Sequence, residues 1–136
     1  MMRHLAIALL CCTSLPCMAQ RILSRTEALA ITGPGPIHLT ALHTDSLCSS
    51  FLIRVDSAVA PHMHRYHTEH VVVLEGEGEM LLGDSVRTVK AGDTVVIPRN
   101  TPHAVKVLGT GPLRVISVQA PRFDGTDRVP VQAPSR

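Results

Sequence analysis

Residues 62–76 read His62-Met63-His64-Arg65-Tyr66-His67-Thr68-Glu69-His70-Val71-Val72-Val73-Leu74-Glu75-Gly76, and a further histidine, His103, follows a loop bounded by Pro98 and Pro102. His62 and His64 stand two apart, so an extended backbone turns both imidazoles to one face. Glu69 has the opposite parity. It joins that face only if the chain breaks between Arg65 and Thr68, as a loop or a bulge. Beyond such a break Glu69, Val71 and Val73 point to one side of a strand. Three imidazoles and one carboxylate are the ligand set of one divalent ion, and that donor mixture suits Zn, Cu, Fe, Mn or Ni. His62, His64, Glu69 and His103 are therefore the predicted metal ligands, with the identity of the metal left open.

Outward from this stretch the pattern is strand after strand with close-set turn signals. Strands are expected at Ile37–Leu42, Ser50–Asp56, Glu69–Glu75, Glu79–Leu82, Val86–Lys90, Thr94–Ile97, His103–Leu108 and Leu113–Ala120. Gly76-Glu77-Gly78, Gly83-Asp84, Ala91-Gly92-Asp93 and Gly109-Thr110-Gly111-Pro112 supply the turns. No stretch from 37 to 120 carries a helical period. Many short strands with tight turns predict an all-β sandwich or barrel in one domain.

The spacing resembles that of small single-domain cupins. Their first motif is Gly, five residues, His-x-His, three or four residues, Glu, six residues, Gly. This chain has His62-x-His64, four residues, Glu69, six residues, Gly76. The second motif is Gly, five residues, Pro-x-Gly, two residues, His, three residues, Asn. Here Gly92, five residues, Pro98-x-Asn100, two residues and His103 match it. Asp56, Asn100 and Val107 depart from the pattern, none at a ligand position, and Asn100 tolerates the left-handed turn that a glycine would make. The resemblance spans about 37–120 and implies a jelly-roll β-barrel with the metal inside.

The first 19 residues run from polar Arg3-His4 through an apolar Leu5–Cys12 to Cys17-Met18-Ala19, the order of a secretory signal. Cleavage would leave Gln20 first, a leader over 20–36, a barrel over 37–120 and a tail over 121–136 expected on the surface. The expected location is periplasmic or secreted. The apolar stretch is too short for a membrane span. Three of the four cysteines lie in that signal, so the mature chain keeps only Cys48 and makes no internal disulfide. The formal charge of +2 on 136 residues, with no Trp, two Phe and one Tyr, offers neither a basic footprint nor a stacking platform for nucleic acid. Outward Val72 and Leu74, with the apolar Val115–Val118 strand, predict a homodimer.

The partner expected at the metal is a small molecule, and no phosphate loop, dinucleotide fingerprint or nucleophile elbow competes with it. Enzyme, binder and metal-stabilised structural protein all stay open. The resemblance implies dioxygenases, isomerases and lyases among the enzymes, with dioxygenase-like chemistry preferred. The catalytic candidates are Glu69, as base or orienting group, and Tyr66, as an acid–base group. His67 and His70 are expected to face solvent. Arg54 and Arg99 are read as surface charges rather than carboxylate binders. An open metal position beside a cavity separates the enzyme and binder readings from the structural one.

Overall fold

The computed structural model describes residues 22–132. The signal expected over residues 1–19 lies outside them. Helix α1 (Arg25–Ala30) precedes ten strands: β1 (Ile37–Thr44), β2 (Ser49–Val55), β3 (Ala58–Met63), β4 (Thr68–Glu75), β5 (Glu77–Leu82), β6 (Ser85–Lys90), β7 (Thr94–Ile97), β8 (His103–Leu108), β9 (Leu113–Ala120) and β10 (Val129–Pro130). They form two five-stranded sheets, ordered β1-β2-β9-β4-β7 and β10-β3-β8-β5-β6, with every pairing antiparallel. The all-β jelly-roll expected from the sequence is the fold found.

Strand order follows from local chemistry. Gly83 and Asp84 close the two-residue hairpin between β5 and β6, with Leu82 opposite Ser85, and Gly83 has φ +58°. Gly76 crosses the chain from one sheet to the other at φ +83°, where an added Cβ would lie 2.4 Å from the Pro112 carbonyl oxygen. Asn100 adopts φ 61°, the turn conformation expected of it. The break between His64 and His67 is also present, since β3 ends at Met63 and β4 starts at Thr68.

Inward residues of both sheets meet in two apolar clusters. One is built on Val55, Val73, Leu113 and Val115, the other on Met80, Val95 and Ile97. Burial of such side chains is the main favourable term in the fold, at about 1.5–3 kcal/mol each. The leader packs outside the barrel. A Ser24–Glu27 capping box starts α1, Arg25 donates to the Leu74 carbonyl and Arg114 to the Ile31 carbonyl. That docking covers part of the outward face of β4 and β9.

Two parts of the structure depart from the sequence expectations. Ala58–Met63 forms β3, which alternation alone did not mark because Pro61 and two alanines interrupt the apolar pattern. The tail does not simply cover the surface. Val129 pairs with Met63 and Pro130 with His62, so β10 extends the second sheet, and Asp127 just before it is buried.

Candidate metal centre

Register assembles the site. His62 on β3 lies opposite His103 at the start of β8, and the two imidazole centroids are 4.1 Å apart. His64 follows just past the end of β3. Glu69, near the start of β4, lies opposite Gln119 near the end of β9, two residues beyond Ser117. All of these strand ends belong to one end of the barrel.

Each imidazole is held by a backbone carbonyl. His62 Nδ1 is 2.9 Å from the Ala60 oxygen and His103 Nδ1 is 3.0 Å from the Thr101 oxygen. His64 Nδ1 bonds the Asp127 carbonyl. A carbonyl can only accept, so each Nδ1 carries the proton and each Nε2 is left as a lone-pair donor to a metal. The Nε2 atoms of His64 and His103 are buried with no hydrogen-bond partner. One ligand atom from each of His62, His64 and His103 lies within 4.8 Å of the other two, a cluster that could hold a metal ion.

Glu69 completes the approach. Its Oε2 is 3.4 Å from His64 Nε2 and 3.5 Å from His103 Nε2. These separations are long for hydrogen bonds. They match the roughly 3.0–3.5 Å between two ligands of one ion when each sits about 2.0–2.2 Å from it. Oε1 accepts from the Ser117 hydroxyl and, at 3.3 Å, from the Gln119 amide. Burial alone would raise the Glu69 pKa, but the adjacent His103 and His64 imidazoles and the Ser117 hydroxyl outweigh it and hold the carboxyl well below its usual range. Burial, then the neighbouring His103, pushes His62 down to about 4. Burial also opposes charge on His64, yet the nearby Glu69 carboxylate and the Asp127 carbonyl together raise its pKa. The donor set is three imidazole nitrogens and a carboxylate that ionises readily, and it fits a divalent transition metal.

The expected set is thus brought together except for Tyr66, whose side chain is 66% exposed and lies outside the cavity lining. His70 is exposed, as expected. His67 is not: it is 1% exposed, its Nδ1 3.0 Å from Asp127 Oδ2. The expectation of a solvent-facing His67 is corrected because the break curls inward around Asp127 rather than outward. Arg54 pairs with Asp56 and the Gly35 carbonyl, away from the site.

Four contributors lie beyond the expected ligands: Ser117, Gln119, Asp127 and Arg128. The first two carried a signal, because they are polar residues at the inward parity of an otherwise apolar strand. Asp127 accepts from the backbone N–H groups of Arg65, Tyr66 and His67, at 2.7, 2.8 and 3.3 Å. It therefore pins the loop that carries His64, and those backbone donors hold its carboxyl below the usual range although burial opposes this. No pattern in the sequence links it to residues 60 to 62 positions away.

The cluster borders an interior cavity of about 320 Å³. Apart from His62, His64, Glu69, His103, Gln119 and Arg128 its walls are aliphatic side chains and Phe123. The site is consequently open on one side, not a closed four-ligand cage.

The family model for the cupin domain, Cupin_2, matches residues 51–119, just over half of the chain. The chain is a cupin. An uncharacterized protein of Methanocaldococcus jannaschii is 34% identical over 76 residues, which cover 56% of this cupin and 61% of that protein. The match therefore spans about three fifths of that relative's length. Among solved structures, a Klebsiella pneumoniae protein with a double-stranded β-helix domain superposes with a TM-score of 0.71 at 21% identity, over 85% of this cupin and 100% of the other chain. Pac13 from Streptomyces, described as a nucleoside dehydratase, gives a TM-score of 0.64 at 20% identity, over 76% and 85% of the two chains. At these identities both structures speak to the fold alone.

Proposed function

We propose that this cupin is an exported, mononuclear metal-dependent enzyme acting on a small organic molecule, with dioxygenase-like chemistry. The observation that carries the proposal is the pair of buried, unpartnered Nε2 atoms on His64 and His103, converging with Glu69 at the edge of an aliphatic cavity. His62, His64, Glu69 and His103 would hold the ion. A divalent metal there supplies Lewis-acid polarisation of a ligand oxygen or activation of dioxygen.

The chain's own residues do the rest. Three backbone carbonyls fix the imidazole tautomers, Ser117 and Gln119 fix the Glu69 carboxylate, and the aliphatic walls offer apolar surface to the body of a small molecule. Glu69, fixed by Ser117 and Gln119, would orient the ion and whatever it binds at this end.

The test is metal content of the tag-free mature protein beside a His62→Ala/His64→Ala variant. About one transition metal per chain, lost in the variant, supports the reading. A folded wild-type chain that stays metal-free after incubation with Zn, Cu, Fe, Mn and Ni sinks it. Oxygen uptake on a panel of small organic substrates then tests the reaction class.

The second reading is a non-catalytic small-molecule binder. It draws on the exposure of Tyr66, which leaves Glu69 without a second side-chain acid beside the cavity. Ligand binding without turnover by the metal-loaded protein would favour it.

Export to the periplasm or medium rests on the order of residues 1–19, and a mature N-terminus at Gln20 is its check. A homodimer is supported by Val72, Val96 and Val118, exposed on neighbouring strands of one sheet. A monomer in sedimentation at micromolar concentration removes that part.

A further inference from the structure

The cavity is polar at one end only. Along β9 the inward residues run from Leu113 through Val115 and Ser117 to Gln119. Leu113 lies opposite Val55, deep in the apolar cluster, whereas Gln119 lies opposite Glu69. These ends are about 20 Å apart at the ordinary rise of a strand. Every polar lining group sits at the Gln119 end, so an occupant meets charge at its head and hydrocarbon along its body.

Two lining residues remain exposed, Leu39 on the edge strand β1 and Arg128 just before the edge strand β10. They mark the entrance. Arg128 is the one arginine among the lining residues, and none of them is a lysine. Its Nη2 lies 3.4 Å from His62 Nδ1, an atom already committed to the Ala60 carbonyl, and no carboxylate among the described residues forms an ion pair with it. Its donors are free to meet a ligand. The Arg128 guanidinium places a fixed positive charge at this end, which favours an anion there.

We infer that the ligand is an elongated aliphatic carboxylate, its chain lying along the barrel and its carboxylate held between the metal end and the Arg128 guanidinium. This rests on the metal-dependent reading above and adds the substrate class and its reader. A cavity of about 320 Å³ is at the small end of the roughly 300–1,000 Å³ of small-molecule sites, which suits a medium chain rather than a long lipid.

The test uses calorimetric titration of the full mature chain, zinc-loaded and zinc-free, with octanoate, butyrate and 1-octanol. Zinc is redox-inert, so the readout is binding rather than turnover. Octanoate should bind at least tenfold more tightly than 1-octanol, which lacks the charge, and than butyrate, which lacks four methylenes of burial. Arg128→Gln should cost octanoate about tenfold, leave 1-octanol unchanged and leave zinc stoichiometry intact, and Arg128→Lys should restore most of the loss. Equal affinity for octanoate and 1-octanol, no binding of octanoate, or an Arg128→Gln variant that binds octanoate as the wild type does overturns the inference. If zinc does not bind, the metal reading is tested separately with Cu, Fe, Mn and Ni and fails if none binds. Octanoate binding to the zinc-free chain that still depends on Arg128 would then keep the ligand class, and its absence would remove that too.

Discussion

Replacing Asp127 with alanine should do more damage than its place in the tail suggests. The carboxylate accepts three backbone N–H bonds, from Arg65, Tyr66 and His67, and also meets His67 Nδ1, while being only 5% exposed itself. A hydrogen bond to a charged group is worth about 1.5–3 kcal/mol, and a buried donor left without a partner costs about 1–3 kcal/mol. These bonds share one acceptor and the exposed loop lets water replace part of them, so the sum is discounted to about 3–4 kcal/mol for Asp127→Ala. Asp127→Asn keeps one acceptor oxygen and should lose about half as much. For a domain of this size about 3–4 kcal/mol lowers Tm by roughly 10–20 °C. Circular-dichroism melts of wild type, Asp127→Ala, Asp127→Asn, His67→Ala and the Asp127→Ala/His67→Ala double variant measure this, each with and without zinc. The double variant should be less destabilised than the two singles added. The alanine variant should also bind zinc at least tenfold more weakly, since the loop it frees carries His64. A melt within 2 °C of wild type for Asp127→Ala, roughly the resolution of about 0.5 kcal/mol, would refute the idea that this carboxylate pins the loop.

Gly76→Ala forces a Cβ to 2.4 Å from the Pro112 carbonyl at φ +83°, so urea denaturation should show a loss of about 2–4 kcal/mol, and an unchanged midpoint would count against the turn as described. Ser117→Ala removes a donor to Glu69 and should weaken metal affinity by about tenfold to a hundredfold while moving Tm by only a few degrees, as competition with a chromogenic chelator would report. In chelator-treated protein, stability should fall as pH drops from about 6.5 towards 4. His62 has a folded pKa lowered to about 4, so the unfolded chain takes up the proton first and the folded state loses up to about 3 kcal/mol across that window. His64, whose pKa is raised, makes its full contribution already below 6.5 and does not offset the loss there. Flat stability between pH 6.5 and 4 would contradict a buried neutral His62.

The fold and the metal cluster were legible because both depend on period and spacing. A two-residue His-x-His step, a break and a returning strand can reach one face only in the way observed, and the glycine and proline turns set strand lengths within one or two residues. What stayed hidden depends on contacts across the chain. His67 looks like a loop residue by sequence, and it is buried only because Asp127 draws three consecutive N–H groups inward. Ser117 and Gln119 were readable in principle by inward parity, but an apolar strand gives no reason to ask what a lone hydroxyl faces until Glu69 is placed opposite. β3 was obscured by Pro61, which a strand accommodates where the tail's short β10, not a long central strand, is its neighbour.

These hidden contacts share a location. The four expected ligands fall between residues 62 and 103, inside the stretch matched by the family model, which ends at residue 119. Asp127 and Arg128 lie beyond it, on the segment that leads into β10. One is turned inward to fix the His64 loop, the other stays at the cavity entrance. The segment leading into β10 thus both fixes the His64 loop through Asp127 and places the Arg128 guanidinium beside the cavity. A barrel that keeps the motif residues but carries a different tail should therefore keep the ligand set, hold a metal more weakly without Asp127, and meet its ligand without Arg128. The place to look for this cupin's specificity is the tail rather than the motifs.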